Sequence, residues 1–218
     1  MSGNATKSIK ELPRHSDEGS RATFVTNVIF ERAIELFLEK GFSSTSMNDL
    51  AKACKVSKPA LYYYFPNKSA LLEMLYDHIT ADFYDLTTLV AKSEGSPRRK
   101  LIDIITHQTK HNIEQRRFLT VFWRERYQFE GGAKKKLADR ERGFERLVMG
   151  LLEDGKQAGE FHHENSKLAV MSILGLLSTL HRWAHHTGAS TEEVARSVVS
   201  LVMDGLCCAP SPPDAAQD

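Results

Sequence analysis

Lys58 and Tyr62 are four residues apart, so any helix that contains them presents them on one face, beside Ser57 and Pro59. A cation and a phenol hydroxyl on a shared helix face are what phosphate and base-edge contacts need. Leu61 and Phe65 have the same spacing and point together to the inner side. Tyr63 and Tyr64 lie further round, so the three adjacent tyrosines cannot all face one surface. Two histidine pairs, His107/His111 and His181/His185, have the i, i+4 spacing that suits Zn²⁺. The residues between them are Gln-Thr-Lys and Arg-Trp-Ala, so the glutamate base of an H-E-x-x-H zinc enzyme is missing. Both pairs therefore read as structural or surface histidines, with no metal and no cofactor expected. There is no P-loop, no G-x-S-x-G elbow and no Gly-rich dinucleotide fingerprint, and Cys54 falls inside a small helical core. The chemistry points away from an enzyme.

The elements that position Lys58 and Tyr62 are legible in SMNDLAKACKVSKPALYYYFPNK, residues 46–68. Ser46 is placed to cap a helix over Met47–Cys54, with Asp49 as its capping-box partner. Lys55-Val56 is a tight connection. Ser57 caps a third helix, Pro59 is tolerated in its first turn, and Pro66 stops it. Leu50, Ala53, Val56, Leu61 and Phe65 are the expected core of this helix-turn-helix. Residues 24–68 hold six Lys/Arg and four acids, and three of those acids lie on the preceding helix. Spacing alone favours DNA binding over a generic helical hairpin with an exposed aromatic cluster.

The rest of the chain must be a helical body. It has 218 residues, enough to bury about 70% of its unfolded surface. Prolines stand at 13, 59, 66, 97, 210, 212 and 213, leaving 98–209 free of them, and no period-2 strand pattern appears. Periodicity predicts an all-α chain of about nine helices. These are about 23–40, 47–54, a short third, 68–91, one opened by Ser96-Pro97, 118–129, 133–158, 166–186 and 191–206. Gly131-Gly132 is read as the break after the sixth, and Thr191 as the cap of the ninth. Residues 1–22 read as a flexible arm, 23–67 as a DNA-binding domain, 68–208 as a larger ligand-binding and dimerisation domain, and 209–218 as a disordered tail. Lys+Arg number 29 and Asp+Glu 28, a net charge of +1, which excludes a strongly basic nucleic-acid coat. No apolar run approaches a membrane span, and no signal-peptide pattern opens the chain. Three cysteines, with Cys207 and Cys208 adjacent, suggest no disulfide framework and fit a reducing cytoplasm.

AIELFLEKGFSSTSMNDLAKACKVSKPALYYYFPNKSALL, with its Gly-aromatic pair and its LYYYF-x-NK-xx-LL run, resembles the N-terminal DNA-binding domain of TetR-family transcriptional regulators. The resemblance covers residues 24–72, and the remaining body of about 140 residues has the family's length. It implies that Ser46 and Met47 meet the DNA backbone and that Asn48 reaches a base edge. Ser57 lies beside them, and Lys58, Pro59 and Ala60 would enter the major groove. Tyr62, Tyr63, Tyr64 and Lys68 would touch phosphates or the groove wall. Ala60 stands where relatives often carry Gly or Thr, and Tyr64 where many carry His; both bear on which operator is read.

The resemblance further implies a homodimer on a palindromic operator, repression, and a small-molecule effector held in the C-terminal body. The last two helices are apolar on two faces, and Ala169, Ser172, Gly175, Thr179, Val198, Leu201 and Val202 are the candidate dimer contacts. Phe122, Trp123, Arg126, Tyr127 and Trp183 are the candidate effector contacts, with ordinary core and interface packing as the competing reading. WRERYQF, LVMGLLEDGKQAGEF and LLSTLHRW resemble the subgroup that controls fatty-acid or steroid degradation and senses acyl-CoA thioesters. An acyl-CoA would want an apolar tunnel ending in cations, for which Arg98, Arg99, Lys100, Arg116, Arg117, Arg124 and Arg126 are available. An aromatic or drug-like effector is the alternative, and a helical adaptor that binds no DNA is the alternative of another class.

Overall fold

The computed structural model describes residues 18–207, and every regular element among them is helical. In chain order these are α1 (Glu18–Lys40), α2 (Met47–Cys54), α3 (Lys58–Tyr64), α4 (Lys68–Lys92), α5 (Pro97–Glu114) and α6 (Arg116–Glu125) with a 3₁₀ turn (Arg126–Gln128). Then follow α7 (Gly131–Gln157), α8 (Ser166–Trp183) with a 3₁₀ turn (Ala184–His186), and α9 (Thr191–Cys207). The all-α expectation holds, and most boundaries fall within two residues of those read from capping and periodicity.

Three boundaries differ for local reasons. Helix α1 is described from Glu18, where periodicity opened it at about Thr23; the rest of the expected arm, residues 1–17, and the expected tail at 209–218 lie outside the described residues. Gly131-Gly132 opens α7 rather than breaking the chain: Gly131 has φ +50°, and from there the backbone leaves the extended Glu130 for the helix. Helix α9 is capped by Ser190, not Thr191. The Ser190 hydroxyl accepts from the Glu193 N–H at 3.3 Å, and the Glu193 carboxylate accepts from the Ser190 N–H at 2.8 Å.

The chain divides into two compact units. The first takes in the described residues up to His78 together with Val121–Phe129. Its core is Ile29, Ala33 and Phe37 of α1, Leu50 and Cys54 of α2, Leu61, Phe65, and Leu71, Leu72 and Leu75 of α4. Val121–Phe129 belongs here because Tyr76 stacks on Phe122 at 4.9 Å and the Arg124 guanidinium donates to the Phe37 carbonyl at 2.6 Å. No local pattern encodes those contacts, which is why the unit reaches beyond the 23–67 domain read from the sequence.

The second unit, Ile79–Thr120 with the residues from Glu130 on, is a bundle of α5, α7, α8 and α9 with the second half of α4. Leu101, Ile105, Leu152, Phe161, Val170, Leu177 and Leu180 are buried at its centre. The Asn112 amide donates to the Leu177 carbonyl at 2.8 Å. Gly155 lies flat on the Phe161 ring, and a Cβ there would stand 2.1 Å from a ring carbon. Val198 and Val202, read as dimer contacts, are buried in this core, because α9 packs along α5 and that face is consumed within the chain. Ser172, Gly175 and Leu201 are exposed, and Ala169 and Thr179 half-buried.

Candidate nucleic-acid interface

Two serines set the geometry of α2 and α3. The Ser46 hydroxyl accepts from the Asp49 N–H at 3.1 Å, and the Asp49 carboxylate accepts from the Ser46 N–H at 2.9 Å and its hydroxyl at 2.6 Å. These bonds hold the Asp49 carboxyl below the usual carboxylate range. Lys55 then adopts φ +56°, ψ +36°, and its N–H closes back on the Ala51 and Lys52 carbonyls, so the chain leaves α2 in a tight turn. The Ser57 hydroxyl accepts from the Ala60 N–H at 3.2 Å, with Pro59 in the first turn.

Leu61 and Phe65 are fully buried, and the Phe65 ring meets Phe30 at 5.8 Å between centroids. That anchoring turns the other side of α3 outward. Ser57, Lys58 and Pro59 are exposed and Ala60 is half-buried. Tyr62 is 41% exposed, and the Lys58 ammonium lies 5.9 Å from its ring centre, so the cation and the phenol share a face as their spacing requires. Tyr63, 84% exposed, meets half-buried Tyr64 edge-on at 5.3 Å. On α2, Asn48 and Lys52 are exposed and Met47 half-buried. Two residues of the expected hairpin core, Ala53 and Val56, are only half-buried, while Ala51 joins Leu50 and Cys54 as a buried α2 residue. Residues 50, 51 and 54 share an arc that leaves 53 at its edge.

Lys68, read as a contact to phosphates or the groove wall, faces the α1–α2 loop in this structure. Its ammonium donates to the carbonyls of Phe42, Ser43 and Thr45. Thr45, which the sequence reading passed over, is buried, and its hydroxyl donates to the Gly41 carbonyl at 2.7 Å.

The candidate effector residues divide between the two units. Phe122 is buried in the first unit's core, against Tyr76 and Phe129. Trp123 and Tyr127 face outward, Tyr127 72% exposed, and the Arg126 guanidinium lies 4.8 Å from the Trp123 ring. Helix α6 (Arg116–Glu125) is amphipathic: its Phe118, Leu119, Val121 and Phe122 are buried, which leaves Trp123 outside. Trp183 belongs to the second unit, where its indole N–H donates to the Thr179 hydroxyl at 3.3 Å. A groove of about 340 Å³ does occur in that unit, lined by Ala169, Ser172, Leu176, Leu201, Val202 and Gly205 among others. Of the candidate dimer residues, Ala169, Ser172, Leu201 and Val202 line it. Of the cations considered for a CoA, Arg99 pairs with Asp103 at 3.0 Å, Lys100 donates to the Ala91 carbonyl, and Arg124 is held by Glu125 and Phe37.

His107 and His111 both stack on Phe83, at 5.8 and 5.3 Å, and burial pushes His111 down to about 4. His181 is buried while His185 is exposed, because α8 ends at Trp183 and the tighter 3₁₀ turn breaks the i, i+4 register. Among the described residues no group of three or more His, Cys, Asp or Glu is placed to hold a metal.

Residues 29–75 match the family model described as "Bacterial regulatory proteins, tetR family", and residues 94–206 that described as "Tetracyclin repressor-like, C-terminal domain". The chain is 24% identical over 204 residues to the HTH-type transcriptional repressor KstR2 of Rhodococcus jostii, covering 89% of this chain and 97% of that one. A shorter match, 38% identical over 98 residues, is to the uncharacterized HTH-type transcriptional regulator YuxN of Bacillus subtilis; it covers 43% of this chain and about a third of the relative (32%). Among solved structures, a tetR-family regulatory protein from Rhodococcus RHA1 superposes with a TM-score of 0.77 at 22% identity, over 85% of this chain and 98% of the other. AibR in complex with isovaleryl coenzyme A and operator DNA superposes with a TM-score of 0.72 at 20% identity, over 81% and 97%.

Proposed function

The chain belongs to the TetR family of bacterial transcriptional regulators, and on that premise we propose that it is a repressor. In this reading a homodimer binds a palindromic operator and is released by a small hydrophobic effector, an acyl-CoA thioester of lipid or steroid breakdown. TetR-family proteins are DNA-binding regulators, not enzymes, so the site to explain is an interface. The observation that carries the reading is the exposed Lys58–Tyr62 face of α3, held outward by buried Leu61 and Phe65. Lys58, Pro59 and Ala60 would enter the major groove and Asn48 would reach a base edge, while Ser46, Met47, Tyr62, Tyr63 and Tyr64 would fix the register on the backbone and groove wall.

The dimer is argued from α8 and α9. Leu168 of α8 and Leu201 of α9 are each 66% exposed, Leu201 lines the groove, and the small Ala169, Ser172 and Gly205 beside it let a second copy approach closely. Two heads related by a two-fold axis match half-sites one helical turn apart. The effector class is argued from AibR, whose structure holds isovaleryl coenzyme A with operator DNA. Helix α4 starts directly after α3 and continues into the second unit, so an effector that tilts α4 changes the spacing of the two heads. A ~100-fold preference for the released spacing corresponds to about 2.7 kcal/mol of coupling. No helix among the described residues is long and apolar enough to cross a membrane, and a site of action on chromosomal DNA would be cytoplasmic.

The test uses a duplex selected by the protein from a random-sequence pool. Lys58→Ala and Tyr62→Ala should each weaken binding to that duplex while helix content and particle mass stay unchanged. Parental affinity in either variant would overturn this orientation of α3. Isovaleryl-CoA and a long-chain acyl-CoA, added to the complex, should release the duplex. Release only by aromatic compounds would favour the other effector class. Trp123→Ala and Arg126→Ala should blunt release, and an unchanged response in both removes that pair from the effector site.

A further inference from the structure

We propose that Lys68 is a positioning residue whose ammonium clamps the α1–α2 loop to the start of α4, so that the entry of α2 into the DNA surface is set by α4. A lysine has three N–H donors. Here three carbonyls face them: Phe42, Ser43 at 3.2 Å and Thr45 at 2.9 Å. With its donors engaged, the ammonium has none left for a phosphate. The cation also lies 4.4 Å from the Phe42 ring centre.

The neighbouring residues make both ends of the clamp rigid. On the loop side, Gly41 at φ +84° turns the chain off α1, and its carbonyl accepts from the Thr45 hydroxyl. Phe42 is buried against Phe37 at 5.1 Å. The next residue after Thr45 is Ser46, the cap of α2. On the helix side, the Asn67 side chain accepts from the Ala70 N–H at 2.8 Å and fixes the first turn of α4. Asn67 and Lys68 thus act in sequence: one caps α4, and the next ties that capped end to the loop that leads into α2. Desolvation pulls the Lys68 pKa down and the Glu125 carboxylate opposes it, as expected of a cation held by backbone rather than by water. The mechanical consequence is that α2 and the start of α4 move as one body, and a tilt of α4 reaches the DNA surface by this route as well as through the Pro66 turn.

The proposal deepens the DNA-binding reading and rests on it for its consequence, but the clamp itself is measured on the full chain without DNA. In Lys68→Met, hydrogen exchange at the Thr45 and Ser46 amides should speed up about tenfold or more, because the loop loses its tie. Affinity for the selected duplex should fall, with the slope of log K against log [salt] unchanged. A phosphate contact would instead leave exchange unchanged and lower that slope by about one, which would overturn the proposal. Should Lys68→Met not fold, the wild-type protein decides: ¹⁵N-detected NMR of the Lys68 ammonium should show a slowly exchanging group that does not shift on adding the duplex. A resonance that moves with DNA overturns the clamp. Wild-type protein that selects no duplex from the pool would fail the DNA reading alone and leave the exchange result standing.

Discussion

Helices α2 and α3 have eight and seven residues, whereas α7 alone has 27. Helices as short as the first two are marginal in water by themselves. They are fixed by side chain–backbone bonds at their ends: the Ser46–Asp49 box, the Ser57 cap, the Lys55 turn and the Lys68 tie. The bundle of α5, α7, α8 and α9 is held mainly by apolar burial, and it tolerates buried polar atoms without partners, among them Thr109 Oγ1 and His107 Nε2. An interface for a rigid duplex needs exposed groups at set positions, and short polar bonds supply that.

Four measurements break or sharpen this contrast. The largest effect is expected in the bundle. Leu101 is fully buried, so Leu101→Ala should cost about 2–5 kcal/mol in urea unfolding; a loss below about 1 kcal/mol would mean that burial does not dominate there. The second is acid sensitivity. His111 titrates near 4 when folded, against about 6.5 unfolded, so between these values the unfolded chain binds more protons. Stability is then complete above pH 6.5 and falls as the pH drops towards 4, by on the order of 3 kcal/mol from this group. His111→Phe, which keeps a ring against Phe83, should flatten that part of the pH profile; an unchanged profile would assign the effect elsewhere.

The third measurement addresses the hairpin. Ser46→Ala removes the hydroxyl half of the capping box and leaves the backbone N–H on the Asp49 carboxylate; it should cost about 1 kcal/mol, with a larger loss of DNA-binding free energy than of unfolding free energy. Equal losses would mean that the cap serves stability only. The smallest effect should have the opposite sign. Thr109→Val deletes a fully buried hydroxyl that has no partner among the described residues, so it should stabilise by up to about 1 kcal/mol. Destabilisation would show that the hydroxyl has a bonding role.

Legibility in the sequence follows how far apart the interacting residues are. The Ser46–Asp49 cap, the Ser57 cap and the Lys58–Tyr62 face each span three or four residues, and each stands where spacing predicts. The inward pair Leu61 and Phe65 was equally readable. Ala53 and Ala51 are the same residue type, and only helical phase with Leu50 and Cys54 selects Ala51 for the buried side. The pairing of His181 with His185 failed because periodicity cannot see that α8 tightens after Trp183.

Composition, proline placement, caps and i, i+4 spacing by themselves determined an all-helical chain, its helix-turn-helix and the outward face of α3, because those depend on bonds within a turn or two of backbone. The tertiary structure alone decided the rest. It gave Lys68 to carbonyls 23 to 26 residues away, and placed Val121–Phe129 with α1 and α4. It also buried Val198 and Val202 while leaving Leu201 on the surface. Each of those outcomes depends on which distant element arrives at a side chain, and a one-dimensional pattern carries no term for that arrival.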